Sequence, residues 1–162
     1  MGLDFDPIDE AARQWGLRWD GVPQMHAVTS LMRVQQLVLS RLDAVLRPHD
    51  LTFARYEALV LLSFTRAGSL PLGKMGERLQ VHPTSVTPIV DRLETAGLVV
   101  RRPHPEDRRA VLAEITAAGR ALVEVATADL LAAGFGLGAL ADEQLGQVSE
   151  LLRPVRADAG DF

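Results

Sequence analysis

Thr84, Ser85 and Thr87, followed by Asp91 and Arg92, line one side of a segment whose other side carries Val86, Ile89, Val90 and Leu93. Short hydroxyls, a carboxylate and a guanidinium on the outward face of an amphipathic helix can hydrogen-bond to base edges in a major groove. An ordinary capped helix with a solvated face would carry similar residues. The next polar segment narrows the choice: Arg101-Arg102-Pro103-His104-Pro105-Glu106-Asp107-Arg108-Arg109 gathers four arginines between two short apolar runs. Long cations on a projecting loop can follow a phosphate backbone or enter a narrow, strongly negative minor groove. Asp107 would repel phosphate, so its expected role is to orient the loop, accepting from Arg109 or from loop amides. A surface ion pair of little energetic weight is the simpler alternative.

Positioning these residues requires a scaffold, and the spacing of apolar residues predicts six or seven helices and one hairpin. A short amphipathic stretch over 7–19 ends at the turn Asp20-Gly21-Val22-Pro23. Over 24–47, Val28, Leu31, Met32, Leu37, Val38, Leu42, Val45 and Leu46 recur mostly at three and four, which predicts a long helix stopping before Pro48. Thr52 is placed to cap a helix with Tyr56, Leu59, Val60 and Leu62 inward, and Gly68 marks its exit. Pro71 opens a short helix with Leu72, Met75 and Leu79 inward, and Val81-His82-Pro83 turns into a helix over 83–96 that ends at Gly97. Two short strands, 99–102 and 109–115, follow around the charged tip. Thr116 caps a helix to about Ala133, and Asp142 begins a last one to Leu152.

Helix, tight turn, helix and hairpin in that order predict a mainly α fold: a winged helix-turn-helix with long amino- and carboxy-terminal dimerisation helices and one hairpin wing. The expected organisation is an amino-terminal part of the dimerisation region over 1–50, a DNA-binding lobe over 51–116, carboxy-terminal dimerisation helices over 117–153 and a flexible tail over 154–162. The outer helices carry more Leu, Val and Ala than a lone helix pair can hide, which suits a homodimer. Pro88, about a turn into the 83–96 helix, removes the amide that would bond to the Thr84 carbonyl. It predicts a kink or a loosened first turn, and with it an altered approach angle.

Bulk properties agree with one soluble globular domain: 162 residues, 48% hydrophobic and 23% charged. The net charge of −4 looks wrong for a partner of nucleic acid, so its distribution matters. Residues 1–73 hold 7 basic and 8 acidic side chains, 74–109 hold 7 and 5, and 110–162 hold 3 and 8. Only the middle segment, the one with the helix and the hairpin, is basic. There is no cysteine, and the four histidines His26, His49, His82 and His104 lie too far apart for a helical metal pair. No metal and no cofactor are expected. No Gly-rich phosphate loop or nucleophile elbow appears, so an enzyme is not expected. The acidic start and the lack of a long apolar run predict a cytoplasmic protein with no membrane association.

From about Val28 to Leu152 the chain resembles the MarR family of bacterial transcription regulators. The resemblance rests on Leu51-Thr52-Phe53-Ala54-Arg55-Tyr56-Glu57-Ala58-Leu59 and on Val81-His82-Pro83-Thr84-Ser85-Val86-Thr87. It continues in Val90-Asp91-Arg92-Leu93-Glu94-Thr95-Ala96-Gly97-Leu98, and most specifically in Asp107-Arg108-Arg109 followed by Ile115-Thr116-Ala117-Ala118-Gly119-Arg120. It implies a homodimer on a pseudo-palindromic operator, with recognition helices in successive major grooves, wings in flanking minor grooves, Arg109 as the minor-groove residue and Asp107 as its support. Thr84, Ser85, Thr87, Asp91, Arg92, Arg101, Arg102, Arg108 and Arg109 are the expected DNA contacts.

The resemblance further implies control, usually repression, by a small aromatic or anionic effector. The extra amino-terminal helix with Trp15 and Trp19 is similar to that of the urate-responsive subgroup, which points to Trp15 or Trp19, Glu57 and Arg92 as ligand-binding residues. Glu57 stands where that subgroup has an aspartate and Ile89 where it has an arginine, and the tryptophans equally suit stapling the extra helix to the dimer. The competing class is a protein-interaction module that keeps the winged scaffold without DNA affinity, which the acidic total charge would favour.

Overall fold

The structure, a computed structural model, describes residues 3–107 and 109–162, without the side chain of Pro83, and divides into two compact units, 1–41 and 42–162. In the first, Asp6 caps α1 (Pro7–Gly16): its Oδ1 accepts from the Ile8 amide at 2.8 Å, with proline in the first turn. Glu10 holds α1 together through Arg13 and Gln14, at 2.8 and 2.9 Å; those bonds, Arg13 first, lower its carboxyl pKa to about 2. The helix ends three residues short of the expected Trp19. Leu17 closes it, and Trp19 folds back so that its ring centroid lies 4.8 Å from that of Trp15. The Trp15 Nε1 donates to the Asp20 carbonyl at 2.8 Å. His26, on α2 (Val22–Leu46), meets Asp9 of α1 at 2.9 Å.

The second unit begins with the end of α2, where Leu42 and Leu46 are buried, and a 3-10 turn at Arg47–His49 that Asp50 closes at a φ of +54°. Upstream on α2, Val28, Leu31, Met32 and Val34 are all exposed, so its apolar stripe is not consumed within the protomer. Helix α3 (Phe53–Ser63) starts with two side-chain acceptors. Thr52 takes the Arg55 amide at 3.4 Å, and Asp43 takes the Phe53 amide at 2.7 Å. Its Leu59 and Leu62 are fully buried with Leu46 and with Met75 of α4 (Leu72–Leu79), each side chain contributing about 1.5–3 kcal/mol by leaving water. Gln80, in the left-handed region at φ +55°, ends α4 and begins the tight turn into α5 (Pro83–Thr95).

Val86, Val90 and Leu93, three and four apart, are the buried stripe of α5. The helix is continuous across Pro88, and its first turn is closed: the Ser85 amide donates to the His82 carbonyl at 2.8 Å. Pro88 is exposed, so the Thr84 carbonyl it deprives of a partner can turn to water. The wing is β2 (Val99–Pro103) and β3 (Val111–Ile115), antiparallel, with Arg101 opposite Ala113 and Arg102 opposite Leu112. Arg109 and Ala110 belong to the tip instead of the second strand, because the Ala110 carbonyl and amide are spent on His104 and Asp107. A strand absent from the sequence reading, β1 (Ser69–Pro71), pairs with the other edge of β3 and gives the order β1-β3-β2. Three residues are too few to show alternation, and Pro71 sits at the strand's end, where its missing amide does least harm.

Thr116 accepts from the Gly119 amide at 3.0 Å to start α6 (Ala117–Ala132), while its own hydroxyl donates to the Gly97 carbonyl at 2.8 Å. This stitches α6 to the exit of α5, and a Cβ at position 119 would lie 2.3 Å from the Leu98 carbonyl oxygen. Glycine is therefore required there. Tyr56 to Thr127, at 2.8 Å, and His49 to Asp129, at 2.7 Å, fasten α6 to α3 and to the 3-10 turn. The last helix, α7 (Asp142–Asp158), runs six residues beyond the expected Leu152 and through Pro154. Both Glu150 and Pro154 are exposed there, so water can serve the carbonyl that proline leaves unbonded. Beyond it, Asp161 accepts from Gln80 at 2.7 Å and from Arg156 at 2.6 Å. Among the described residues no helix is long and apolar enough to cross a membrane.

Candidate nucleic-acid interface

The amino-terminal turn of α5 is organised by His82. Its Nδ1 accepts from the Thr84 amide at 3.3 Å and lies 2.7 Å from the Thr84 hydroxyl. The ring nitrogen thus takes the place of a side-chain oxygen at the helix cap. Thr84 is thus turned back to the cap, while Ser85 and Thr87 are exposed and, among the described residues, their side chains have no hydrogen-bond partner. Arg92, a turn further on, is also exposed.

At the base of the wing, Arg101 is tied to α5. Its Nη2 donates to Asp91 at 2.5 Å, its Nη1 donates to Glu94, and its amide reaches Glu94 at 3.1 Å. Burial of the guanidinium works against its charge, but the bonds to Asp91 and Glu94 outweigh it and raise the pKa above the ordinary arginine value. Arg102, on the other face of β2, lies 3.5 Å from Glu114 of β3. With Thr84 at the His82 cap, four of the expected DNA contacts, Thr84, Asp91, Arg101 and Arg102, are therefore engaged within the protomer.

The tip is built differently. Asp107 Oδ1 accepts from the Arg109 amide at 2.9 Å, and the Asp107 carbonyl accepts from the Ala110 amide at 3.0 Å. The Nδ1 of His104 accepts from the amides of Glu106 and Asp107, at 3.2 and 3.1 Å. The main chain of the tip is pinned, whereas no hydrogen bond or ion pair engages the Arg109 guanidinium among the described residues. Arg108 lies outside the described residues. His82 and His104 were not foreseen as structural acceptors. A proline next to each histidine, Pro83 after the first and Pro103 and Pro105 around the second, is the signal that marks them as turn residues.

Trp15 and Trp19 belong to the first compact unit, Glu57 and Arg92 to the second. Within the second, Arg92 shares a cavity of about 520 Å³ with Arg55 and Asp50. Glu57 lines a different cavity, of about 600 Å³, with Tyr56, Phe64 and Phe135. Burial pushes the Glu57 carboxyl pKa up. No group of three or more metal-ligating side chains occurs among the described residues.

The sequence model of the MarR family matches residues 51–111, which run from two residues before α3 to the first residue of β3. The chain is 36% identical over 96 residues to an uncharacterized HTH-type transcriptional regulator of Bacillus subtilis, a match covering 59% of this chain and 61% of that protein, less than two thirds of its length. Among solved structures, it is similar to Sco5413, a MarR family transcriptional regulator from Streptomyces coelicolor. That likeness has a TM-score of 0.81 and 58% identity, and covers 88% of this chain and 99% of the other. It is also similar to a mutant of MarR from E. coli complexed with operator DNA, at a TM-score of 0.71 and 26% identity over 85% of this chain and 99% of that one.

Proposed function

The chain belongs to the MarR family, whose members are transcriptional regulators and not enzymes, and from that premise we propose that it is a homodimeric, sequence-specific regulator of transcription that binds double-stranded DNA in the cytoplasm. The observation that carries this reading is the pairing of two outward surfaces. The Ser85 and Thr87 face of α5 suits a major groove, and the pinned tip, whose Arg109 guanidinium has no partner among the described residues, suits the minor groove beside it. The E. coli relative bound to operator DNA supports the same assignment. The exposed apolar stripes of α2 and α7, Val28, Leu31 and Met32 on one and Leu151 and Val155 on the other, supply the surface a second copy would cover.

In this reading Arg109, Arg92, Ser85 and Thr87 touch DNA, Asp107 and His104 hold the tip, and Arg101 with Asp91 braces the wing against the helix. Arg102, beside Glu114, belongs with that brace, and Arg108 is kept as a proposed DNA contact. Repression by occupancy of an operator and release by a small ligand are the proposed mode of control. The CouR structure bound to p-coumaroyl-CoA, a neighbour at 31% identity and a TM-score of 0.66, is a case of such a scaffold holding a small molecule.

A second reading, an interaction module without DNA affinity, is favoured by the internal pairing of Arg101 and Arg102 within a chain of net charge −4. Selection of bound sequences from random duplexes separates the two. The regulator returns a two-fold site with half-sites about one helical turn apart, bound with nanomolar-scale affinity that falls steeply with salt. Enrichment of no sequence, or binding without salt dependence, would rule out the first reading.

A further inference from the structure

We propose that the cavity of about 600 Å³ beside α3 takes an organic cation with an aromatic or apolar body, because two carboxylates and one guanidinium share an aromatic-walled space. The inference rests on the ligand-responsive reading above only for its claim that filling this cavity changes DNA binding. The size suits a small organic molecule. Phe53 and Tyr56 stack with centroids 6.1 Å apart, and Phe64, on the same cavity, is 80% exposed although it is a large apolar side chain. Aromatic faces carry negative potential and attract ammonium groups.

The charged groups that face this space are Glu57 from α3, Glu124 from α6 and Arg78 from α4. Among the described residues none of the three has a hydrogen-bond or ion-pair partner. An incoming anion has Arg78 to attract it and two carboxylates to repel it. An incoming cation meets the reverse balance, and it also supplies the counter-charge that the exposed Glu57 lacks, whose carboxyl pKa its partial desolvation raises. The resemblance to the family implies an aromatic or anionic effector; the lining here keeps the aromatic body and reverses the charge.

The test uses the full chain and three probes that share one body: phenylpropylammonium, phenylpropanol and phenylpropanoate, each titrated calorimetrically at neutral pH. The ammonium binds at least about tenfold more tightly than the carboxylate, with the alcohol between them. Glu57→Gln weakens the ammonium about tenfold and leaves the alcohol within about twofold, Glu124→Gln acts in the same direction, and Arg78→Gln does not weaken the ammonium. The proposal is overturned if phenylpropanoate binds as tightly as the ammonium, if Arg78→Gln abolishes binding while Glu57→Gln is silent, or if none of the probes binds. DNA release is measured separately. A protein saturated with phenylpropylammonium that still holds its operator counts against ligand control and leaves the charge assignment standing.

Discussion

At the base of the wing, Arg101 is held by Asp91 and Glu94, and Arg102 lies beside Glu114; at the tip, Arg109 has its amide held by Asp107 and, among the described residues, no partner for its guanidinium. The same residue type serves two purposes within one hairpin. At the base, charge is spent on fixing the angle between hairpin and helix. At the tip, the main chain is fixed by a ring nitrogen, by carbonyls and by one carboxylate, so the arginine charge remains available for a partner. A count of arginines therefore overstates how much of the wing can meet phosphate, and the relevant quantity is how many guanidinium groups lack a carboxylate.

The sharpest way to break this contrast is to remove one arginine at a time and measure operator affinity against salt. Arg109→Ala is expected to weaken binding by about tenfold to a hundredfold and to lower the salt slope by about one unit. Arg101→Ala is expected to weaken it by about fivefold to tenfold with the slope unchanged, because a brace is lost and no phosphate contact with it. Combined with Asp91→Ala, it should be no worse than the poorer single variant, as expected of two residues acting through one bond. If Arg101 instead met phosphate, its loss would lower the slope and Asp91→Ala would tighten binding.

Hydrophobic periodicity and turn residues made the helices and the wing legible in the sequence, since Val86, Val90 and Leu93 leave no other face to bury. The Thr116, Gly119 and Arg120 signature was legible as a pattern, but its cause was not. Only the fold shows the Leu98 carbonyl pressed against Gly119 and the guanidinium of Arg120 packed where a Cβ on Gly68 would lie. The pairing of Arg101 with Asp91 and Glu94 depends on how the hairpin folds back on α5, and no spacing rule carries that. Pro154 reads as a helix stop because proline usually is one; on an exposed helix it removes only a bond that water can replace.

The start of α5 allows a second contrast, between a cap and a tip both held by imidazole. His82→Ala is expected to lower unfolding free energy by about 0.5–1 kcal/mol in urea titration, at the low end for a cap because its bond to the Thr84 amide is 3.3 Å long. His82→Asn should restore most of it, since a carboxamide oxygen can accept from the same amide. His104→Ala, which frees an exposed tip and no helix, should leave the urea midpoint nearly unchanged while weakening DNA binding. Equal effects of the two alanine variants on stability would mean that the tip is part of the cooperative core.

The smallest effect is expected at Glu57, away from the wing. Burial raises its pKa in the folded state above the ordinary carboxylate value of 4.5, so in the unfolded chain it ionises first as pH rises. Its contribution to stability is then fully present below that ordinary value and is lost as pH climbs through the raised folded value. Glu57→Gln removes the loss. The variant should match the parent protein in acid and exceed it at neutral pH, by well under about 1 kcal/mol, because the side chain stays exposed and solvent screens it. Melting temperatures across the acid-to-neutral range measure the difference. A gap that opens in acid and closes at neutral pH would mean that Glu57 is stabilised by a cation as it stands, and that the cavity beside it has no unmet charge to offer.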